Sequence, residues 1–115
     1  MTLTRDQILA THDLPSVVVN VPEWGGEMTL KTLTGEERDR WQNDWIEWRK
    51  EQGAVCFEAF LIVAVACDPD NKPIFQRSDV RTLNAKSSAV ISRLYRIAAR
   101  MNGIGQEGDQ RAEKN

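Results

Sequence analysis

Two short segments near the start of the chain alternate hydrophobic and polar residues, a pattern typical of β-strands with one buried face. The first, residues 16–24, has valines at every second position: Val17, Val19 and Val21. The second, residues 27–33, has an equivalent set: Met28, Leu30 and Thr32. The pattern predicts two strands that carry these residues on the same side of a hairpin.

The link between the strands is Gly25-Gly26, which suits a two-residue turn because such turns need positive φ. The cross-strand pairs predicted by this turn are Val21 with Leu30 and Val19 with Thr32. In this register the apolar faces of the two strands coincide, which supports the pairing.

Capping patterns mark the starts of two helices. Thr4 and Gln7 form a capping box for a short helix, predicted over residues 5–11. A second box at residues 34–37 begins a longer helix that is predicted to run to about Gln52. Each box satisfies backbone N–H groups that a helix start would otherwise leave without acceptors.

The second half of the chain is predicted to form further helices separated by turns. Residues 54–66 are alanine-rich and apolar enough for a helix rather than a strand. Gly53 could either end the preceding helix or bend it, so two abutting helices and one long bent helix are both compatible with the sequence. A strong turn follows at residues 68–71, and then a short helix capped by Ser78. The last helix, residues 85–102 with Asn84 as its cap, is amphipathic. Its apolar face comprises Val90, Ile91, Leu94, Ile97, Ala98 and Met101.

These elements predict a mostly helical α+β fold. A short N-terminal helix and a β-hairpin precede a small bundle of three to four helices. Because the chain of 115 residues has the size of one domain, residues 1–104 are predicted to form a single α+β domain. Residues 105–115 are rich in polar and charged residues and are predicted to form a flexible, disordered tail.

Composition and charge narrow the possible functions. The net charge of -2 argues against a dedicated nucleic-acid-binding protein, which usually has a basic excess. The most apolar run, residues 54–67, is too short to span a bilayer and contains Glu58. On one helix Cys56 and Cys67 would lie ~16 Å apart, too far for a disulfide. Since residues 1–6 lack the apolar segment of a signal peptide, we expect buried thiols in a reducing cytoplasm.

Patterns for catalysis or cofactor binding are weak. His12 is the only histidine and lies beside Asp13, but no nucleophile is linked to it by a recognisable spacing. Two cysteines and one histidine without a close ligand pair do not suit a zinc site. Gly25-Gly26 lacks the further glycines and the lysine of a phosphate-binding loop. We therefore expect a non-enzymatic protein without a cofactor, a metal, or a nucleic-acid or membrane partner.

Tryptophan recurs at helical spacing in the helix predicted after the hairpin. Trp41, Trp45 and Trp48 are at positions i, i+4 and i+7, so they share one helix face. One interpretation places them in the core. The other leaves some of them partly exposed as anchors for a partner, because tryptophan is enriched at interface centres. Together with Trp24, near the hairpin turn, they are the candidate partner-binding residues.

Several segments, in their order along the chain, resemble the tail assembly chaperones of long-tailed (siphovirus-type) bacteriophages. They are LTRDQIL at 3–9, VPEWGG at 21–26, LTGEERD at 33–39, CDPDNKPIF at 67–75 and AEKN at 112–115. The resemblance spans nearly the whole chain. The tryptophan-rich segment 41–48 is less typical of that family.

The resemblance implies a protein that acts in the host cytoplasm during tail assembly and is absent from the mature virion. Its implied client is the long, hydrophobic tape measure protein, which such chaperones coat and keep soluble while tail tube subunits are recruited. It also implies self-association. The hairpin edge that could pair with a neighbouring copy by strand addition comprises Val19, Val21, Met28 and Leu30.

The end of the chain suggests a second product of the gene. Glu113-Lys114-Asn115 can be encoded by GAA AAA AAC, which contains a slippery heptamer for backward ribosomal frameshifting. Many members of the family that the chain resembles exist in a short form and a longer, frameshifted form. The resemblance therefore makes a longer form that binds the major tail tube protein a hypothesis.

A different class of function is a small DNA-binding regulator of a phage or bacterial operon. Arg93, Arg96 and Arg100 lie on the last predicted helix, which could then be a recognition helix. The balancing acidic residues and the lack of a short helix-turn-helix pair argue against it. Salt-dependent binding to duplex DNA would favour it.

Overall fold

The computed structural model describes residues 1–105 and confirms the predicted α+β fold. Its elements are α1 (Arg5–Leu9), β1 (Ser16–Val21), β2 (Gly26–Lys31), α2 (Gly35–Gln52), α3 (Phe57–Val65), β3 (Ala66–Cys67), α4 (Val80–Asn84) and α5 (Ser88–Met101). The strands form one antiparallel sheet in the order β1-β2-β3. Apart from Gly105, the segment predicted as a flexible tail lies outside the described residues.

Both predicted capping boxes are present. Gln7 N–H donates to Thr4 Oγ1 at 3.2 Å, and Thr4 N–H donates to Gln7 Oε1 at 2.9 Å. The same two bonds between Thr34 and Glu37 are both 3.0 Å long. α2 covers the predicted range and ends where Gly53 turns the backbone at a φ of 86°. The long helix that carries the tryptophans is therefore specified at both ends by local sequence.

α1 stands apart from the core. No residue in the range 1–18 is buried, and the exposed large apolar side chains there include Leu3, Ile8, Leu9 and Leu14. The helix ends at Leu9 rather than at the predicted Thr11. A helix this short gains little from its own hydrogen bonds, and α1 has no buried face that would stabilise a further turn. We refer to residues 1–15 as the N-terminal arm.

The hairpin forms as predicted, but its turn does not. The turn is a 3₁₀ segment, Pro22–Trp24, followed by Gly25, whose φ is 80° and whose N–H donates to Pro22 O at 3.1 Å. Proline suits the start of such a turn because its φ is fixed and it has no N–H to satisfy. β2 therefore begins at Gly26, and the predicted two-residue Gly25-Gly26 turn is wrong.

The longer turn also changes the register of the hairpin. The observed pairs are Val21 with Gly26 and Val19 with Met28, in place of the predicted Leu30 and Thr32. The partner of Val21 moves by four residues (30 − 26), an even number, so every side chain keeps its predicted face. Val19, Val21 and Leu30 are consequently buried, as the alternating pattern indicated.

β2 is the central strand of the sheet. β3 pairs with it along Thr29 and Leu30, so this part of the hairpin is not at an edge. β3 was not predicted, because residues 54–66 have the composition of one helical run. α3 ends at Val65, and the next residue is extended. β1 is an edge strand, and within residues 1–105 no strand pairs with its outer side.

Two predicted caps in the last third of the chain are wrong: Ser78 and Asn84. The capping box before α4 joins Gln76 and Asp79, around a 3₁₀ turn. Asn84 is the last residue of α4, and the N-cap of α5 is Ser87, whose hydroxyl accepts from the N–H of Val90. Several polar residues in succession offer alternative caps, so local sequence does not decide between them.

The core lies between the inner face of the sheet and the helices. α3 is its centre and packs against α2, α4, α5 and β2. On α3, Leu61, Ile62 and Val65 are fully buried, and each such side chain contributes about 1.5–3 kcal/mol to folding. The predicted apolar face of α5 is confirmed as the surface that meets the core. Both cysteines are free and buried, and burial raises the pKa of the Cys67 thiol.

Candidate functional site

The tryptophans of α2 meet the aromatic residues of α3. The ring centroid of Trp45 lies 4.9 Å from that of Phe57 and 5.4 Å from that of Phe60. Trp41 lies 5.9 Å from Phe57, and Trp48 lies 5.5 Å from Phe60. These edge and tilted contacts are favourable at such distances. α2 and α3 are therefore joined by a continuous aromatic cluster.

The four candidate tryptophans differ in how far they are buried. Trp41 and Trp48 are buried, with 7% and 8% of their surface exposed, and Trp45 is partly buried against the core. Trp48 Nε1 donates to Val55 O at 3.0 Å, whereas Trp41 Nε1 is buried without a hydrogen-bond partner among the described residues. Trp24 lies elsewhere, in the hairpin turn, and is 37% exposed. The three α2 tryptophans are thus brought together, and Trp24 is not among them.

A groove of about 240 Å³ lies beside the aromatic cluster, between α2, α3 and the end of β2. Its apolar lining comprises Leu33, Trp41, Phe60, Val63, Ala64, Pro73 and Val80. Its charged lining comprises Lys31, Glu37, Arg40, Asp44 and Arg77. We call this feature the α2–α3 groove. An apolar floor with charged sides can hold apolar side chains of a partner while polar groups contact the rim.

The charged side chains of the groove are largely paired. Lys31 Nζ donates to Glu37 Oε2 at 2.7 Å, and Arg77 forms an ion pair with Asp44. The Arg77 guanidinium also lies 5.6 Å from the ring centroid of Phe60, within the range of a cation–π interaction. The groove therefore presents apolar surface between neutralised charges.

Asn102, at the end of α5, fixes the link between β2 and α2. Leu33 N–H donates to Asn102 Oδ1 at 2.8 Å, and Asn102 Nδ2 donates to Lys31 O at 3.3 Å. Arg38 on α2 donates to the carbonyl of Asn102 at 3.2 Å. These bonds hold the side of the groove that carries Lys31 and Leu33 against the start of α2.

Glu37 connects the groove to the N-terminus of α2. Partial burial acts to raise its pKa, but the hydrogen bonds from Lys31 and from the backbone of Thr34 outweigh this effect. They hold the pKa of Glu37 below its ordinary value of 4.5. The carboxylate is consequently charged at neutral pH and balances Lys31, whose side chain is almost fully buried.

Replacing Glu37 with glutamine should lower the free energy of unfolding at neutral pH by about 1–3 kcal/mol, because Lys31 loses the counter-charge of its ion pair. Glutamine can still accept the bond from Thr34, so the helix cap is preserved. A lowered folded-state pKa means that the carboxylate stabilises the fold above pH 4.5 and that this contribution is lost as the pH falls below that value. Urea unfolding from neutral pH to about pH 3 measures both effects.

Glu36→Gln is the matched control for this variant. The Glu36 carboxylate is highly exposed and lies 3.9 Å from Arg40, so its loss should cost less than about 0.5 kcal/mol. As the pH falls below 4.5, the free energies of unfolding of Glu37→Gln and the wild type should become more similar. A Glu37→Gln protein as stable as the control at neutral pH would contradict the role of this ion pair.

Arg93 ties the hairpin turn to α5. Its two terminal nitrogens donate to the two carboxylate oxygens of Glu23 at 2.7 and 2.9 Å. This hydrogen bonding lowers the pKa of Glu23 to about 2. Of the three arginines that suggested a recognition helix, Arg93 is therefore engaged within the chain.

Comparison with known proteins identifies the family to which this chain belongs. The family model of the phage tail assembly chaperone matches residues 10–115, so the chain belongs to that family. The structure is similar to that of the bacteriophage HK97 tail assembly chaperone, with a TM-score of 0.57 and 26% sequence identity. This match covers 88% of this chain and 95% of that chain. No curated protein matches the chain.

The family assignment confirms the resemblance seen in the sequence. Together with the fold, it points to a non-catalytic assembly factor of phage tails. Within residues 1–105, every helix is too short or too polar to span a bilayer.

The tryptophans of the aromatic cluster, of which Trp41 also lines the groove, were predicted from the sequence, but their neighbours were not. Phe57 and Phe60 are spaced like residues of one helix face in a run already predicted as helical, so a second aromatic face was a readable signal. Lys31 lies between Leu30 and Thr32 and therefore on the opposite side of the predicted strand, where exposure is the usual outcome for a lysine. Arg77 lies in a 3₁₀ turn, and only the tertiary fold brings it beside Asp44.

Proposed function

We propose that this protein binds the tape measure protein of its phage, keeps it soluble and helps to recruit tail tube subunits during tail assembly. The α2–α3 groove is the observation that carries this proposal. Its apolar floor is partly exposed between paired charges, chiefly at Leu33, Val63, Ala64 and Pro73. An amphipathic client helix can place apolar side chains into such a groove. The family assignment supports a role in the tail, and the groove supplies a surface for it.

The size of the groove suggests how a long client would be held. At about 240 Å³ it is smaller than the roughly 300–1,000 Å³ of ordinary ligand pockets, so it suits individual side chains rather than a whole ligand. One copy would therefore bind weakly and cover little of the client. Linked binding sites greatly increase overall affinity. We propose that several associated copies coat the client in the host cytoplasm and leave before the virion is complete.

Co-expression tests the proposed function. The protein should be produced together with the tape measure protein of the same phage, and the soluble fraction of the tape measure protein should rise severalfold over expression alone. An unrelated acidic protein of similar size is the control for general effects of co-expression. A tape measure protein that stays insoluble with this chain, as with the control, would contradict the proposal.

A longer, frameshifted form is a second part of the proposal. The codons of Glu113-Lys114-Asn115 can contain a slippery heptamer; these residues lie outside the described part of the chain. We propose that the added segment of the longer form binds the major tail tube protein. The nucleotide sequence of the gene tests this proposal. Synonymous codons that break the heptamer, or the absence of an open -1 reading frame beyond it, would exclude the longer form.

A further inference from the structure

β1 has an unprotected edge. Edge strands of native sheets are usually blunted by charged residues, proline or a bulge, or are covered by another element. The sequence of β1, SVVVNV, contains no charged residue and no proline, and its pairing with β2 is uninterrupted. Val17 and Val18 are 38% and 59% exposed. An edge of this kind readily pairs with another strand.

The hydrogen-bond pattern shows which backbone groups this edge offers. Thr32 N–H donates to Pro15 O at 3.2 Å, which makes Pro15 and Thr32 a hydrogen-bonded pair in the hairpin register. In an antiparallel ladder hydrogen-bonded and non-hydrogen-bonded pairs alternate. The β1 residues that direct their N–H and C=O groups away from β2 are therefore Ser16, Val18 and Asn20.

We propose that this edge pairs with β1 of a second copy of the chain, antiparallel and centred on Val18. In this register Val18 lies opposite Val18 of the second copy, and Ser16 lies opposite Asn20. Each of these pairs joins two residues with outward backbone groups, so each exchanges two hydrogen bonds. The two sheets become one continuous sheet. The β1 edge would then be the surface through which copies associate in the proposed function, and this pairing rests on that part of the proposed function.

The side chains of β1 fit such a symmetric contact. Ser16 and Asn20 can hydrogen-bond across the interface, and the two copies of Val18 contact each other between them. On the inner face, Val17 lies opposite Val19 of the second copy. This contact covers Val17, which is partly exposed in the single chain, and so extends the apolar core of each copy. No like charges are brought together, because β1 is uncharged. The same patch serves both partners, as an isologous interface requires.

The N-terminal arm supplies the area that strand pairing alone lacks. A stable interface buries about 800 Å² per partner, more than a single strand edge provides. In the proposed register the chain before Ser16 runs beside the hairpin turn of the second copy, so that Leu14 falls opposite Pro22 and close to Trp24. Leu14 and Trp24 are both exposed in the single chain. In the dimer, the apolar arm of each copy would therefore cover Trp24 of the other copy.

Cysteine cross-linking tests the register. Cα atoms in a hydrogen-bonded antiparallel pair are about 5.5 Å apart, within the range that a disulfide allows. Val18→Cys should therefore form a disulfide-linked dimer under mild oxidation. Val17→Cys is the matched control, because diagonal neighbours lie roughly 7–8 Å apart and should link at least about tenfold more slowly. Wild-type protein controls for Cys56 and Cys67, which are buried.

The strength of association provides the second test. Val18→Lys places like charges opposite each other at an exposed position, so the dimer dissociation constant should rise at least about tenfold. Val18→Thr keeps a neutral β-branched side chain and should dimerise like the wild type. Sedimentation equilibrium measures the constants, and circular dichroism checks the fold. Equal association of Val18→Lys and wild type, a monomeric wild type, or equal linking of the two cysteine variants would overturn the inference.

These assays contain no tape measure protein, so they separate the two proposals. A wild-type dimer that fails to keep the client soluble contradicts only the proposed function. A protein that keeps the client soluble but associates independently of Val18 contradicts only the edge pairing.

Discussion

Replacing Trp48 with alanine should lower the free energy of unfolding by about 3–5 kcal/mol, the range for truncation of a buried aromatic side chain. The ring is buried, lies 5.5 Å from Phe60 and has the Arg81 guanidinium 5.7 Å from its centroid. Its Nε1 donates to Val55 O, so the variant would also leave that carbonyl without its donor. Urea unfolding with fluorescence or circular dichroism measures the loss.

Trp24→Ala is the matched control, because it makes the same substitution in the exposed hairpin turn. It should change the free energy of unfolding by less than about 1 kcal/mol. The comparison separates a tryptophan that supports the fold from one available to a partner. Losses of equal size in Trp24→Ala and Trp48→Ala would contradict the placement of Trp48 in the core.

Replacing Val63 with lysine should reduce the soluble fraction of co-expressed tape measure protein at least about fivefold, because the lysine would put a charge on the apolar floor of the α2–α3 groove. Val63 is partly exposed, so a long lysine stem can reach solvent without unfolding α3. The substitution therefore acts on the binding surface more than on the core. The solubility assay is the one described for the proposed function.

Ile46→Lys is the control for this variant. Ile46 is an aliphatic residue on α2 that is 51% exposed and does not line the groove. Its replacement adds the same charge and should leave client solubility unchanged. Thermal unfolding of both variants checks that each remains folded. If Val63→Lys is folded and keeps the client as soluble as Ile46→Lys does, the groove does not bind the client.

Local sequence signals predicted the helices that they directly encode. Both capping boxes and the end of α2 at Gly53 depend on residues within a few positions of each other, and the structure contains them as predicted. The amphipathic face of α5 was also readable, because its period follows from helix geometry. The first residue of α5 could not be predicted, because Asn84 and Ser87 are both acceptable caps and packing selects between them.

The sheet was predicted less well, because strand pairing depends on distant residues. The alternating valines fixed which side chains face the core, and an even shift of register left that result intact. The turn was misjudged because Gly25-Gly26 is a strong local signal, whereas Pro22 starts a longer turn just before it. β3 has two residues and no strand signal of its own; its pairing with β2 places it in the sheet.

The candidate site was predictable only in part. The spacing of the α2 tryptophans correctly placed them on one face, but periodicity cannot distinguish a core from a partner-binding surface. In the structure Trp41 and Trp48 are both buried, and Trp41 also lines the groove. The groove also needs Lys31 and Arg77, which are far apart in sequence and come together only in the fold.

The two proposed binding surfaces lie on different elements. No residue of β1 or of the N-terminal arm lines the α2–α3 groove. A copy that associates through its β1 edge therefore keeps its groove available. This arrangement would allow a dimer to present its two grooves to one extended client, with association and client binding altered independently by Val18→Lys and Val63→Lys.

We propose that this tail assembly chaperone holds its client in the α2–α3 groove. Sedimentation velocity of the purified protein mixed with a soluble fragment of the tape measure protein tests it most directly. We predict one faster-sedimenting complex with several chaperone copies per fragment, and loss of that complex with Val63→Lys. Independent sedimentation of wild-type protein and fragment at micromolar concentrations would contradict the claim.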